Sequence, residues 1–208
     1  MSNNTEILRS AIKEIVHYYE LNPYHSPMYT LPEIFSREYH ENFISDWLAY
    51  LLDPEKNGFG WEPLITLCNE WEIDISDATT AEIKREKVFG EEGRIDLYIE
   101  IRSDINLLLI GIENKINAKE GDNQTEGYHE RLIKIKKENE FKYLLPIYLA
   151  REENPNAKSV GFKNISYSKL KELFETIPFS LRREQRKSFY FYEFILYVYS
   201  DSSEPFAR

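Results

Sequence analysis

The spacing of apolar positions changes character several times along the chain. Residues 5–20 (TEILRSAIKEIVHYYE) place Ile7, Leu8, Ile12, Ile15 and Val16 at helical intervals. A Pro- and Tyr-rich connector, LNPYHSPMYTLPEIF, is irregular by composition. Ser36 is a candidate N-cap for a second helix through ENFISDWLAYLL, whose Ile44, Trp47, Leu48 and Leu51 form one stripe and which Asp53-Pro54 closes. After the turn NGFG, the segment WEPLITLCNEW predicts a third helix.

From there the period falls to two. AEIKREKVF is a candidate strand. In GRIDLYIEI the residues Ile95, Leu97, Ile99 and Ile101 alternate with Arg94, Asp96, Tyr98 and Glu100, which predicts a strand with one apolar face. NLLLIGIENKI is nearly continuous in apolar residues, as expected of a central strand covered on both faces. The helical period then returns in EGDNQTEGYHERLIKIKKE, with Asp122 or Asn123 as cap and Tyr128, Leu132 and Ile135 on one stripe. FKYLLPIYLA and FKNISYS predict two more strands, YSKLKELFE a helix, and RREQRKSFYFYEFILYVYS an aromatic helix docked on the core. No repeat, low-complexity tract or linker interrupts this order. The expectation is one α/β domain over 1–208, with a core at about 38–168 and helices from both ends packed on it.

Composition narrows the class. The 208 residues are 42% hydrophobic and 30% charged, with 15 Tyr and 12 Phe, as in a globular protein. No run approaches the ~20 apolar residues of a bilayer span, and the first residues lack a signal-peptide pattern. A single cysteine, Cys68, rules out an internal disulfide framework and suits a cytoplasmic location, where Asn-x-Ser/Thr sequences carry no glycans. There is no P-loop, no HExxH and no paired CxxC. The formal net charge of −10, from 26 basic and 36 acidic residues, argues against coating nucleic acid by charge alone. It leaves room for an acidic site that holds divalent cations.

Such a site emerges from the register of the two middle strands. If Ser103-Asp104-Ile105-Asn106 form the loop of an antiparallel hairpin, Arg102 faces Leu107. The apolar pairs Ile101–Leu108, Ile99–Ile110 and Leu97–Ile112 follow. The next step sets Asp96 opposite Glu113, with Lys115 opposite Arg94 and on the face of Glu113. Opposed carboxylates repel at the ~5 Å separation of cross-strand Cβ atoms. A hard cation such as Mg²⁺ relieves that repulsion, because it takes carboxylate, water and phosphate oxygens. A neighbouring lysine can orient or help deprotonate an attacking water and offset transition-state charge.

IGIENKI, preceded by the Asp of GRIDLYIE seventeen residues before Glu113, resembles the PD-(D/E)XK nuclease superfamily. The similarity is closest to a branch of small prokaryotic proteins with an IENKI…Q…Y signature, and it covers about 38–168. Ile95 stands where the family's name has proline. The resemblance implies a restriction-endonuclease-like αβββαβ core with a mixed sheet flanked by helices. It also implies Mg²⁺-dependent phosphodiester hydrolysis, with Mn²⁺ as a substitute, DNA as the expected target and a setting in defence against foreign DNA. Asp96, Glu113 and the main-chain carbonyl of Asn114 would ligate metal, and Lys115 would assist the nucleophilic water. Gln124 and Tyr128, one helical turn apart, match the family's Gln…Tyr pair. Glu41 resembles the acidic residue of the N-terminal helix, although an acidic residue there is equally explained by the helix dipole.

Lys134, Lys136 and Lys137, with Arg182, Arg183, Arg186 and Lys187, are the basic concentrations available for phosphates, and basic runs of this kind are usually solvated faces. His129 points about 100° away from Tyr128 and is expected at the surface. His17, His25 and His40 share no ligand spacing, and Trp47 belongs to the core. Two other arrangements fit the same residues: a non-catalytic nucleic-acid-binding or protein-interaction module retaining the fold, and a homo-oligomer or a chain whose partner subunit recognises the target.

Overall fold

The computed structural model describes residues 40–90, 93–116, 120–151 and 156–177. Within them, helices α1 (Glu41–Leu52) and α2 (Glu62–Asn69) precede strands β1 (Thr80–Val88), β2 (Arg94–Arg102) and β3 (Asn106–Lys115). Helix α3 (Gln124–Glu138), strands β4 (Tyr143–Ala150) and β5 (Lys163–Ser166), and helix α4 (Tyr167–Glu175) follow. The strands form one mixed sheet in the order β1-β2-β3-β4-β5, antiparallel across the first three and parallel from β3 to β5. This is the α/β, restriction-endonuclease-like order expected from the sequence. The predicted helices over 5–20 and the C-terminal aromatic segment lie outside the described residues, as do Ser36 and Arg182, Arg183, Arg186 and Lys187.

β3 occupies the middle of the sheet, and every residue from Leu107 to Lys115 is buried. One face carries the larger core, where Leu108, Ile110 and Ile112 meet Ile44, Trp47, Leu48 and Leu51 of α1 and Leu170 and Phe174 of α4. The other face carries Leu109 with Leu132 and Tyr128 of α3. Gly111 lies on that second face, and a Cβ there would stand 2.7 Å from Leu132 Cδ1 and 2.8 Å from Ile95 Cδ1. Its missing side chain is what lets α3 close on the sheet.

The hairpin register matches expectation from Leu97–Ile112 to Ile101–Leu108. It departs at both ends. At the loop, a bulge after Ile101 sets Arg102 against Asn106, not Leu107, and Arg102 Nε donates to Asn106 Oδ1 at 2.9 Å. At the other end the ladder stops one step short of Asp96–Glu113. The alternation of β2 breaks there too: Ile95 joins Tyr98 and Leu109 in the smaller cluster, away from Leu97, Ile99 and Ile101. The cause lies in β1, where Arg85 pairs with Leu97 and Lys87 with Ile95, while Glu86 between them has φ 48° and no partner in the ladder. A positive φ in a non-glycine residue turns the chain locally, and the Arg85 guanidinium takes the Asp96 carbonyl that a flat ladder would have used.

Candidate active site

Asp96, Glu113 and Lys115 come together where β2 and β3 part. Asp96 Oδ2 accepts the Asn114 backbone N–H at 2.8 Å, so the carboxylate bridges the gap left by the ladder. Glu113 and Lys115 share the α3 face because side chains two apart in a strand point the same way. Lys115 Nζ lies 2.7 Å from Glu113 Oε1 and 3.9 Å from Glu41 Oε2. Asn114 points to the opposite face, where its Nδ2 donates to Ser45 Oγ at 2.9 Å and its Oδ1 accepts from the Tyr167 hydroxyl. These two bonds lock the turn of sequence between Glu113 and Lys115 to α1 and α4. Glu41 Oε1 accepts the Ile116 N–H at 3.0 Å, which draws the first residue of α1 to the end of β3.

Helix α3 completes the cluster from its first turn. Gln124 Nε2 donates to Glu113 Oε1 at 2.8 Å and lies 3.1 Å from the Tyr128 hydroxyl. That hydroxyl donates to the Arg94 carbonyl at 2.6 Å. Tyr128 fits because Gly93 has no side chain: a Cβ there would sit 3.0 Å from Tyr128 Oη. The expected caps, Asp122 and Asn123, do not cap the helix; Asn123 has φ 53° and makes no side-chain bond to it. Glu120 performs that task, with Oε1 accepting from Thr125 N at 2.9 Å and Oε2 accepting from Lys158 N at 2.8 Å. Although its partial burial works the other way, these bonds hold the Glu120 carboxyl below its ordinary range.

The electrostatics are those of crowded acids. Burial, then the charge of Asp96, pushes the Glu113 carboxyl up to about 8 despite the pull of Lys115. Burial likewise raises Asp96, against the Asn114 N–H that favours its charged form. For Lys115, burial favours losing the proton, but Glu113, Glu41 and Asp96 outweigh it and raise the ammonium above its usual value. Glu113 is 1% exposed, and its Oε2 has no hydrogen-bond partner. A buried, unpartnered carboxylate oxygen costs several kcal/mol by order of magnitude unless something positive meets it.

Hard oxygen donors with one orphaned atom suit a divalent cation of the Mg²⁺ type. Among the described residues no three His, Cys, Asp or Glu side chains converge on one point. Mg²⁺ binding does not need three, since one or two carboxylates completed by water and phosphate are common. Asp96 and Glu113 therefore fit the cation, with Glu41 nearby but already bonded to Ile116.

Other residues fall elsewhere. Lys134, Lys136 and Lys137 sit in the last turns of α3, ten or more residues beyond Gln124 and so ~15 Å or more along the axis. Lys134 lies 3.8 Å from Glu138 on a solvated face. His129 is half-buried and edge-on to Phe162, with ring centroids 6.4 Å apart, so it is packed and not at the surface as expected. His40 is exposed just before α1, and Trp47 lies in the core. Sequence reasoning missed Arg85, which joins Asp46 at 2.7 Å and the Asn42 and Asp96 carbonyls, and so ties α1 to β2 beside the site. It missed Ser45 and Tyr167 as well; apart from Arg85 to Asp96, these contacts span 39 to 69 residues and leave no local signal.

No curated protein and no solved structure matches the chain. A family model does, over residues 28–196, a span that includes every element described above. With the αβββαβ order and the Asp, Glu and Lys side chains gathered at the fork of β2 and β3, the chain belongs to the PD-(D/E)XK nuclease superfamily.

Proposed function

We propose that the chain hydrolyses phosphodiester bonds of DNA in a Mg²⁺-dependent reaction, with Mn²⁺ able to substitute, and that it serves in defence against foreign DNA. The observation that carries the metal requirement is Glu113: buried, beside Asp96, with Oε2 unpartnered. Asp96 and Glu113 would hold the cation, with the Asn114 main-chain carbonyl as a further ligand and Glu41 in reserve. When bound, the cation would supply Lewis-acid stabilisation of charge on the phosphoryl oxygens.

The chain's own groups have separable tasks. Lys115 Nζ, kept protonated by three carboxylates, is a donor; it can orient the attacking water and meet developing negative charge. Its raised proton affinity favours orientation over deprotonation. Gln124 fixes the rotamer of Glu113 through Oε1, leaving Oε2 as the oxygen that would meet a cation, and Tyr128 fixes Gln124 through the Arg94 carbonyl.

The test is a panel of single- and double-stranded DNA and RNA incubated with purified protein and Mg²⁺, Mn²⁺ or EDTA. DNA cleavage with either metal and none in EDTA is expected. Equal cleavage in EDTA would overturn the metal role, and cleavage of RNA alone would overturn the DNA assignment. Binding without cleavage under every condition would favour a non-catalytic module on the same fold.

A further inference from the structure

On the face of β3 that meets α1 and α4, Leu108, Ile110 and Ile112 are followed at the next inward position by Asn114, and then by Ile116. The asparagine breaks an aliphatic series. It is fully buried, as is Ser45 on α1, and Tyr167 at the start of α4 is nearly so. Asn114 Nδ2 donates to Ser45 Oγ at 2.9 Å and lies 3.4 Å from the Glu41 carbonyl, while the Tyr167 hydroxyl donates to Asn114 Oδ1. Both ends of the carboxamide are therefore held, one by each helix.

Stability does not require this arrangement. A buried hydrogen bond adds little net free energy over apolar groups of the same shape, because it replaces bonds made with water. A leucine at 114 with apolar partners would continue the series. What the polar trio adds is orientation, since a carboxamide bonded at both ends is confined to one position.

That orientation reaches the backbone of the same residue. Past the last β2–β3 pair, Leu97–Ile112, the Asn114 N–H donates to Asp96 Oδ2 at 2.8 Å. The N–H and C=O of one strand residue point to the same side, so the Asn114 carbonyl also faces the fork. Asn114 thus sits between Glu113 and Lys115 with its side chain on one face and its peptide groups turned toward Asp96.

We propose that Asn114 is a positioning residue of the cation site. Its carboxamide, clamped by Ser45 and Tyr167, sets the backbone of Glu113–Lys115 where pairing with β2 no longer does. Its N–H then holds Asp96, and its carbonyl is placed to serve as a ligand. The proposal rests on the nuclease reading above. It makes α1 and α4 the counterpart of α3: Gln124 fixes the Glu113 side chain from one face of the sheet, and Ser45 and Tyr167 fix the next residue from the other.

The test replaces the three polar groups together, by Ser45→Ala, Asn114→Leu and Tyr167→Phe. Leucine has the branching of asparagine, and each departing hydroxyl makes room for a methyl group where an amide atom had been. Wild type, the triple variant and Tyr167→Phe alone would be melted in EDTA and over a series of Mg²⁺ concentrations. The rise of melting temperature with metal gives the affinity. Cleavage of DNA and RNA by wild type would be assayed alongside. In EDTA the triple variant should melt at or above the wild-type temperature, yet it should bind Mg²⁺ about 10–100-fold more weakly, the scale for losing the outer support of a metal ligand. Tyr167→Phe alone leaves Asn114 Oδ1 without that donor, so it should melt below the triple variant and also bind Mg²⁺ more weakly than wild type. A trio that serves only stability gives the opposite pattern, with a fall in EDTA and an unchanged Mg²⁺ affinity. Wild-type Mg²⁺ affinity in either variant would overturn the positioning role while the nuclease reading stands on wild-type cleavage. So would a triple variant that melts well below wild type or does not fold. Wild type that neither gains stability from Mg²⁺ nor cuts any oligonucleotide would overturn both readings.

Discussion

Between Ile101–Leu108 and Leu97–Ile112, β2 and β3 are paired residue for residue, and their inner face is aliphatic. One step further along the same two strands, the pairing stops, and Glu113 and Lys115 lie buried with Asp96 half-buried beside them. On β3 burial is nearly complete in both stretches: Ile110 is 0% exposed and Glu113 is 1%. In the first, burial removes apolar surface from water and stabilises the fold. In the second, it raises two carboxyls out of their ordinary range and leaves an oxygen without a partner. The two stretches therefore answer differently to metal, pH and truncation, although they lie on one strand.

The largest effect belongs to the paired stretch. Ile110→Ala removes a fully buried side chain between α1 and the sheet and should cost ~2–5 kcal/mol of unfolding free energy. Urea unfolding should give the same loss in EDTA and in Mg²⁺, since no metal contact changes. A loss that shrinks when Mg²⁺ is added would break the separation of the two stretches. Next comes Lys115→Ala, which should lower the cleavage rate ~10²-fold or more, equivalent to about 2.7 kcal/mol of transition-state free energy. A rate equal to wild type would leave Lys115 only its structural ion pairs.

Gly111→Ala probes the boundary between the stretches. The added methyl would meet Leu132 Cδ1 and Ile95 Cδ1 at under 3.0 Å, and overpacking of this kind costs ~1–3 kcal/mol. Because Gly111 lies two residues before Glu113 on the same face, α3 should shift and Gln124 with it, so cleavage should fall as well. Unchanged stability and rate would show that Leu132 and Ile95 yield freely.

The remaining effect is a slope of stability with pH. Glu113 and Asp96 have folded-state values above their unfolded ones, so each contributes stability at low pH that is lost as pH rises. For Glu113 that loss runs from its unfolded value of 4.5 to about 8. Lys115, also raised, keeps its contribution throughout this window and loses it only in more alkaline solution. Glu120, lowered, loses its contribution only on acidification below the window. Metal-free protein should thus become less stable between about pH 5 and 8, and Glu113→Gln should flatten that decline. Parallel stability–pH curves for the two proteins would contradict the assignment.

Much of this was legible in the sequence because the signals are local. The aliphatic run before Glu-Asn-Lys announces a strand buried on both faces, and the alternation of GRIDLYIEI gives a register that holds over its central pairs. The i, i+4 spacing of Gln124 and Tyr128 places both toward the same side, and the structure joins them to Glu113 and Arg94. The end of the ladder was not legible, because it depends on the backbone of Glu86 and on Arg85 reaching across from another strand. The displaced face of Ile95 follows from that distortion. Asn114 reads only as the middle of Glu-Asn-Lys, and the distant Ser45 and Tyr167 show what its side chain meets.

The claim that Asp96 and Glu113 form a cation site is tested most directly by the Mg²⁺ dependence of melting temperature in wild type and Glu113→Gln. A ligand stabilises only the state that binds it, by ~2.7 kcal/mol at a hundredfold excess over Kd. Wild type should melt higher in Mg²⁺ than in EDTA, by an amount that grows with metal concentration, and Glu113→Gln should melt at the same temperature in both. Equal stabilisation of the two proteins by Mg²⁺ would place the metal elsewhere and contradict the site.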